Sequence, residues 1–318
     1  MLTIGRHVKK LSGYAPALPT PLTEDDCIDA GALERLCDLQ IVNGATALVV
    51  GGTTGEAANL TAAEHRDLIR IAAGVSRGRV PVIAGAGSNA TAHAIELSKG
   101  AEDSGADAIL SVVPYYNKPT QEGLYSHFRA IADSITLPVI LYDVPSRTAR
   151  GLADETIARL AETPGVIGLK DATGDISRPA RLRPLLGRDF RLLSGDDPTA
   201  LGFIVQGGDG CISVTSNVAP GICRDMFLAW KQGSAARAQR LTLVLAKLTA
   251  ALSLESNPAP LKYALSLFGL VSAKVRLPLV ELSEQTKAAV ASVLLEFYDK
   301  HSLIGKVGDA PVRIRRRA

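Results

Sequence analysis

Lys170 ends the apolar run Gly165-Val166-Ile167-Gly168-Leu169-Lys170 and is followed at once by Asp171-Ala172-Thr173-Gly174. An ammonium at the tip of a buried strand is costly, because burial disfavours the charged form of lysine and lowers its pKa. A desolvated, partly neutral amine is the species that attacks a carbonyl to form a Schiff base. By itself, a lysine so placed is more often the first residue of a surface loop. A second segment changes that reading: Gly51-Gly52-Thr53-Thr54-Gly55-Glu56 follows another apolar run, Ala47-Leu48-Val49-Val50. Polar clusters at the exits of two short strands point to one site built where several strands end.

Three further strand ends carry chemistry. Pro114-Tyr115-Tyr116-Asn117-Lys118-Pro119 places two of the seven tyrosines side by side in a loop. Leu141-Tyr142-Asp143-Val144-Pro145-Ser146-Arg147-Thr148 brings a phenol and a guanidinium together, and Ser194-Gly195-Asp196-Asp197 follows a later run. Singly, each has a structural explanation: a packing tyrosine, a surface arginine, a helix cap at Asp197. Jointly they would line one mouth of a barrel.

The elements that would hold them alternate along the chain. Apolar runs lie at Tyr14 to Leu18, Ala47 to Val50, Val80 to Ala84, Ala108 to Val113, Val139 to Tyr142, Val166 to Lys170, Arg191 to Ser194 and Gly210 to Val214. Helical spacing fills the gaps: Thr61-Ala62-Ala63-Glu64 is a capping box, and a helix from Gln121 carries Leu124, Phe128 and Ile131 on one face. Eight strand–helix units without hairpin turns predict parallel strands closed into an α/β (β/α)8 TIM barrel, with catalytic groups at the C-terminal strand ends. Beyond residue 234 the pattern becomes purely helical, at Ala235 to Leu254, Pro258 to Phe268 and Ser283 to Tyr298. The expected organisation is a catalytic barrel over 13–234, a C-terminal three-helix appendage over 235–300 for packing or oligomerisation, and a basic, frayed tail over 301–318. Gly85-Ala86-Gly87-Ser88-Asn89-Ala90 imitates a dinucleotide fingerprint, but the next strand ends in Pro114-Tyr115-Tyr116 rather than the acidic residue that pattern needs. Those glycines are read as a tight turn.

Composition excludes several classes. In 318 residues the hydrophobic share is 47% and the mean hydropathy +0.16, so a large core can form. A formal net charge of +3 gives no reason to invoke nucleic acid or a membrane surface. No apolar stretch approaches the roughly 18 residues of a membrane span. Met1 to Lys10 lacks the apolar centre of a signal peptide, and a cytoplasmic protein is expected. Cys27, Cys37, Cys211 and Cys223 form no C-x-x-C pair and are read as reduced thiols in the core. The five histidines have no ligand spacing, which argues against a metal and for lysine chemistry.

These segments together resemble the dihydrodipicolinate synthase (4-hydroxy-tetrahydrodipicolinate synthase) family, in the pyruvate-dependent class I aldolase superfamily that includes N-acetylneuraminate lyase. The resemblance runs from about Gly13 to Phe297. It takes in Gly52 to Glu56, Pro114 to Leu124, Tyr142 to Thr148, Gly168 to Gly174, Leu193 to Asp197, Gly210 to Val214 and Asn257-Pro258-Ala259-Pro260-Leu261-Lys262. It implies that Lys170 forms an imine with pyruvate and Tyr142 relays protons. Thr53 would link Tyr142 to Tyr116, with Tyr116 reaching across a tight dimer interface. Thr53 and Thr54 would hold the pyruvate carboxylate, and Arg147 the carboxylate of aspartate semialdehyde. Gly195, Asp196 and the carbonyl of Ile212 would complete the pocket. The implied enzyme is a homotetrameric lyase of lysine and diaminopimelate biosynthesis with no cofactor beyond its own covalent imine.

The same resemblance places a regulatory lysine pocket at Ala57, Ala58, Ala62, His65, Asn89, His93 and Tyr115. Lysine-sensitive relatives have glutamate where His93 stands and histidine where Ala62 stands, so weak or absent inhibition by lysine is expected. Three departures from the family pattern stand out: Asp143 for asparagine, Asp171 for glutamate, and Ala149-Arg150 for a glycine-led turn. Asp143 is expected to add a carboxylate beside the second-substrate pocket and to alter the preferred aldehyde. The alternatives are an aldolase or dehydratase for a 2-keto-3-deoxy sugar acid, against which Arg147 speaks, and a silent barrel, against which the joint presence of Lys170, Tyr142, Thr53 and Tyr116 speaks.

Overall fold

In a computed structural model, which describes residues 11–300 and the short pairs 306–307 and 310–311, each apolar run becomes a strand. Strands β1 (Gly13–Pro16), β2 (Leu48–Val50), β3 (Val82–Gly85), β4 (Ala108–Val112), β5 (Val139–Asp143), β6 (Val166–Asp171), β7 (Arg191–Ser194) and β8 (Gly210–Ser213) are all parallel. They pair in the order β1-β8-β7-β6-β5-β4-β3-β2, and the bridge Ala17 to Val49 closes the ring. Parallel neighbours need crossovers, and helices α1 (Ala30–Val42), α2 (Ala62–Ser76), α3 (Thr91–Asp103), α4 (Gln121–Asp133), α5 (Pro145–Thr148), α6 (Asp154–Ala161), α7 (Arg178–Leu182), α8 (Ala200–Val205) and α9 (Pro220–Lys231) supply them. The architecture is a TIM barrel, as the alternation predicts.

Local chemistry sets the helix boundaries. Thr61 and Glu64 form the capping box that starts α2, and Thr120 accepts from Gly123 N at the start of α4. Leu124, Phe128 and Ile131 of α4 are fully buried against the barrel. Beside them His127 is buried, with Nδ1 2.9 Å from Thr91 Oγ1 and its ring edge-on to Phe128. Burial pushes His127 down to about 4.

The core has two layers. A small interior cluster, including Ala15, Val49, Ile83, Ile140, Leu193 and Ile212, fills the barrel and has Tyr142 among its members. A larger cluster lies between strands and helices. Small residues such as Ala15, Ala17, Ala47 and Ala108 let the interior pack without a pore.

After the barrel come α10 (Ala235–Ala251), α11 (Ala259–Leu267) and α12 (Glu284–Lys300). Strands β9 (Lys306–Val307) and β10 (Ala310–Pro311) pair antiparallel. The rest of the expected basic tail, its arginines included, and the expected leaderless start Met1 to Lys10 lie outside the described residues. Cys37, Cys211 and Cys223 are buried free thiols, but Cys27 is exposed and corrects the expectation for that residue. It sits in the loop before α1, where the apolar periodicity has not begun.

Candidate active site

Lys170 and Tyr142 are in register on β6 and β5, one residue short of their ends. Both are 6% exposed. Lys170 Nζ stands 4.1 Å from the centre of the Tyr142 ring. Among the described residues Lys170 makes no ion pair. Gly195, on the loop after β7, is a close neighbour: a Cβ there would fall 2.8 Å from Lys170 Cε. Only glycine lets the lysine stem run past, and Gly195 N is held by Asp171 O at 2.6 Å.

The loop after β2 carries Thr53, half-buried, and Thr54, which is 3% exposed. No hydrogen bond joins Thr53 to Tyr142 or Tyr116 among the described residues of one chain. The loop itself is held from several sides. Thr20 Oγ1 donates to Gly55 O at 2.7 Å, and Asn257 Nδ2 donates to Thr54 Oγ1 at 3.0 Å. Glu56 has φ +55°, a left-handed backbone for a non-glycine residue. Its carboxylate pairs with Lys262 of α11 and accepts from Arg276 N at 2.9 Å. Lys262 is 0% exposed, and its ammonium also donates to Lys274 O at 2.7 Å. Burial lowers the Lys262 pKa, and the Glu56 carboxylate opposes the shift. Sequence reading quoted Asn257 and Lys262 in a recognisable segment but gave them no task.

Beside Lys170 opens a cleft of about 600 Å³, lined by Arg147, Gly195, Asp196, Ser256 and Asn257 among others. Arg147 projects from α5, exposed, with no ion pair among the described residues. Asp196 accepts from Thr199 Oγ1 at 2.6 Å. Ile212 is buried in β8, within the interior cluster. Asp197, read as a cap for its own helix, instead accepts from Val214 N and Thr215 N, at 2.8 and 3.0 Å, and so caps the turn after β8. Burial raises its pKa, against those hydrogen bonds.

Tyr116 stands apart from this group. It is 89% exposed and holds φ +74° on a loop where Lys118 is also left-handed. Tyr115 beside it is exposed. The other expected regulatory residues lie just before and on α2, and just before and on α3. Ala57 is half-buried, Ala58 and Ala62 are exposed, and Asn89 O accepts from Asn117 Nδ2 at 2.8 Å. His93 is exposed on α3, its Nδ1 3.5 Å from Glu96. His65 does not open to the surface: it is 3% exposed, with Nε2 2.7 Å from Gly85 O. Burial lowers its pKa. The glycines of the false dinucleotide fingerprint have a packing cause, since a Cβ on Gly85 would run into the backbone of Gly51.

Asp143 corrects a second expectation. Its carboxylate is withdrawn from the mouth and only 1% exposed, paired with Arg178 at 2.8 Å and accepting from Leu152 N at 3.2 Å. Arg178 also binds Asp171 at 3.1 Å and Asp154 at 3.0 Å. Burial pushes Asp143 up, and Arg178 and Leu152 N pull it back. Both acidic departures, Asp143 and Asp171, are thus absorbed by one arginine behind the site.

A profile of the Dihydrodipicolinate synthetase family matches residues 10–296. The chain is 49% identical over 282 residues to a 4-hydroxy-tetrahydrodipicolinate synthase of Acidiphilium cryptum, covering 89% of this chain and 97% of the relative. Its fold is similar to the dihydrodipicolinate synthase of Acinetobacter baumannii, described as chloride inhibited and complexed with pyruvate, with TM-score 0.87, 44% identity and coverage of 90% and 98%. It is equally similar to the 4-hydroxy-tetrahydrodipicolinate synthase of Methylacidiphilum fumariolicum, with TM-score 0.89, 40% identity and coverage of 92% and 97%.

Proposed function

The chain belongs to the dihydrodipicolinate synthetase family, and we infer that it condenses pyruvate with aspartate semialdehyde to 4-hydroxy-tetrahydrodipicolinate, a lyase-type step of lysine and diaminopimelate biosynthesis. The observation that carries this reading is the buried, unpaired Lys170 with its ammonium 4.1 Å from the centre of the Tyr142 ring at two adjacent strand ends.

The neutral amine of Lys170 adds to the pyruvate carbonyl, and the carbinolamine loses water to leave an imine. The iminium draws electrons from the methyl group, which loses a proton and becomes an enamine carbon. That carbon attacks the aldehyde, forming the new carbon–carbon bond while the aldehyde oxygen takes a proton. The amino group of the second substrate then displaces Lys170 from the imine, closes the ring and frees the enzyme. These steps move protons on and off the substrate, and we assign Tyr142 to carry them. A phenol near pKa 10 is a weak base alone, so we assign Thr53 and Tyr116 as its proton chain. Tyr116 is almost fully exposed in its own chain, which supports its delivery to a neighbour's site in a homotetramer. Thr53 and Thr54 take the pyruvate carboxylate, Arg147 the second carboxylate, and Gly195, Asp196 and the Ile212 carbonyl the remaining polar atoms. The lysine imine itself supplies the electron sink, so no external cofactor is needed, and we place the enzyme in the cytoplasm.

Incubation with pyruvate and borohydride tests the assignment: a reduced pyruvyl mass on the peptide bearing Lys170 is expected. An adduct on another lysine, or none, overturns it. Arg147 favours a short carboxylated aldehyde over a polyol, and a panel of aldehydes read by pyruvate consumption checks that preference. At the regulatory positions, His93 offers an imidazole, not the carboxylate that would pair a lysine ammonium. Initial rates at saturating pyruvate are expected to be unmoved or only feebly lowered by L-lysine, and strong sub-millimolar inhibition would refute this.

A further inference from the structure

Asn257 joins two distant elements at the edge of the cleft. Its Nδ2 donates to Thr54 Oγ1 at 3.0 Å, across 203 positions of sequence. Its Oδ1 is buried without a partner among the described residues, and the side chain borders the substrate cleft beside Gly195. Here one end is committed to a hydroxyl on the substrate loop, and the other is left without a partner among the described residues at the edge of the cleft.

A hydroxyl has one proton and two lone pairs. When Asn257 occupies a lone pair of Thr54, the Thr54 proton is left to point elsewhere. An amide oxygen in the same place would take that proton and point it away from any ligand. The orientation found therefore makes Thr54 a donor toward the site, which an anionic substrate group needs. The anchor is also stiff. Asn257 lies two residues before α11, and five residues on Lys262 pins Glu56 of the same loop. Two successive grips from the C-terminal helices thus fix both the place of Thr54 and the direction of its proton.

We propose that Asn257 is a positioning residue for the keto-acid carboxylate, acting through the Thr54 hydroxyl. This rests on the reading of Thr54 as a carboxylate ligand given above. It makes the C-terminal helices part of the substrate site.

The measurement is the pyruvate concentration that half-saturates borohydride trapping at Lys170, which reports binding without turnover. Asn257→Ala is expected to raise it about five- to tenfold, with the same plateau of adduct at saturating pyruvate. Asn257→Asp, nearly isosteric, replaces the donor by an anion beside the substrate carboxylate and is expected to raise it further. That variant carries the test if the alanine protein does not fold. In a Thr54→Val background, Asn257→Ala is expected to add nothing, because its route to the substrate is already cut. An unchanged half-saturation in both Asn257 variants, or a full additive effect in the double variant, overturns the proposal alone. No effect of Thr54→Val by itself overturns it together with the carboxylate role of Thr54. Absence of any Lys170 adduct in the wild-type protein instead refutes the imine reading.

Discussion

Two lysines are buried among the described residues, and they are treated in opposite ways. Lys262 is 0% exposed and fully engaged: Glu56 neutralises it and Lys274 O takes another of its protons. Lys170 is 6% exposed, rests over a phenol ring and makes no ion pair among the described residues. An ammonium fixed by a carboxylate is a poor nucleophile, because the pair must be broken before the lone pair is available. An unpaired one has only its proton to lose. On the proposed mechanism, the nucleophile is distinguished by burial without a counter-charge, not by burial alone.

The contrast fails first if the two lysines can exchange consequences. Lys170→Ala should lower turnover by several orders of magnitude while the thermal midpoint stays near that of the wild type, since no other amine stands in place. Residual activity of more than a few per cent would mean the unpaired lysine is not the nucleophile. Tyr142→Phe removes one hydroxyl from the same site, and steady-state assays should find a loss of about 10²–10⁴-fold with the fold intact.

Lys262→Met should show the reverse pattern. It leaves Glu56 buried without its partner, at a cost of about 3–5 kcal/mol in denaturant unfolding. Adding Glu56→Gln should return much of that stability, because the stranded charge is gone. If Lys262→Met were as stable as the wild type, the pair would not be holding the loop.

His127, a third buried base, adds a graded case. Its folded pKa of about 4 lies below the unfolded value of about 6.5. The unfolded chain therefore binds the extra proton between those values, and stability falls as pH drops through that window, by up to about 1.4 kcal/mol per pH unit. Above about 6.5 the imidazole is neutral in both states and the effect vanishes. His127→Gln should flatten this part of the stability–pH profile, and an unchanged slope would assign it to the carboxylates.

What the chain announced in advance was local. All eight strands lie where apolar runs meet polar exits, because a parallel strand covered on both faces leaves a continuous apolar signature. The capping box at Thr61 and the α4 face were legible for the same reason. Lys170 and Tyr142 were legible as strand-end residues, and their register on β5 and β6 brings them together. The misreadings share one cause. Asp143 was expected to face the pocket, but its direction is decided by Arg178, which lies 35 residues on. Asn257 carried no visible task because its partner Thr54 is some two hundred residues away. Side-chain direction at a strand end is a tertiary fact, and periodicity does not encode it. His65 is similar: the resemblance put it in a surface pocket, but its ring is buried against Gly85 and Gly51.

The distance between the substrate loop and its anchors has a consequence for how the protein is made. Thr54 and Glu56 are fixed by Asn257, Lys262 and Arg276, through links that span 203, 206 and 220 positions. A nascent chain can emerge with all eight strands synthesised and still lack these grips. Loops of that size close late and slowly, since their closure entropy must be met before the contacts return it. Until residue 276 leaves the ribosome, the set of three anchors on Thr54 and Glu56 is incomplete. The loop that bears Thr54 and Glu56 thus acquires these anchors only after the whole barrel sequence has been made.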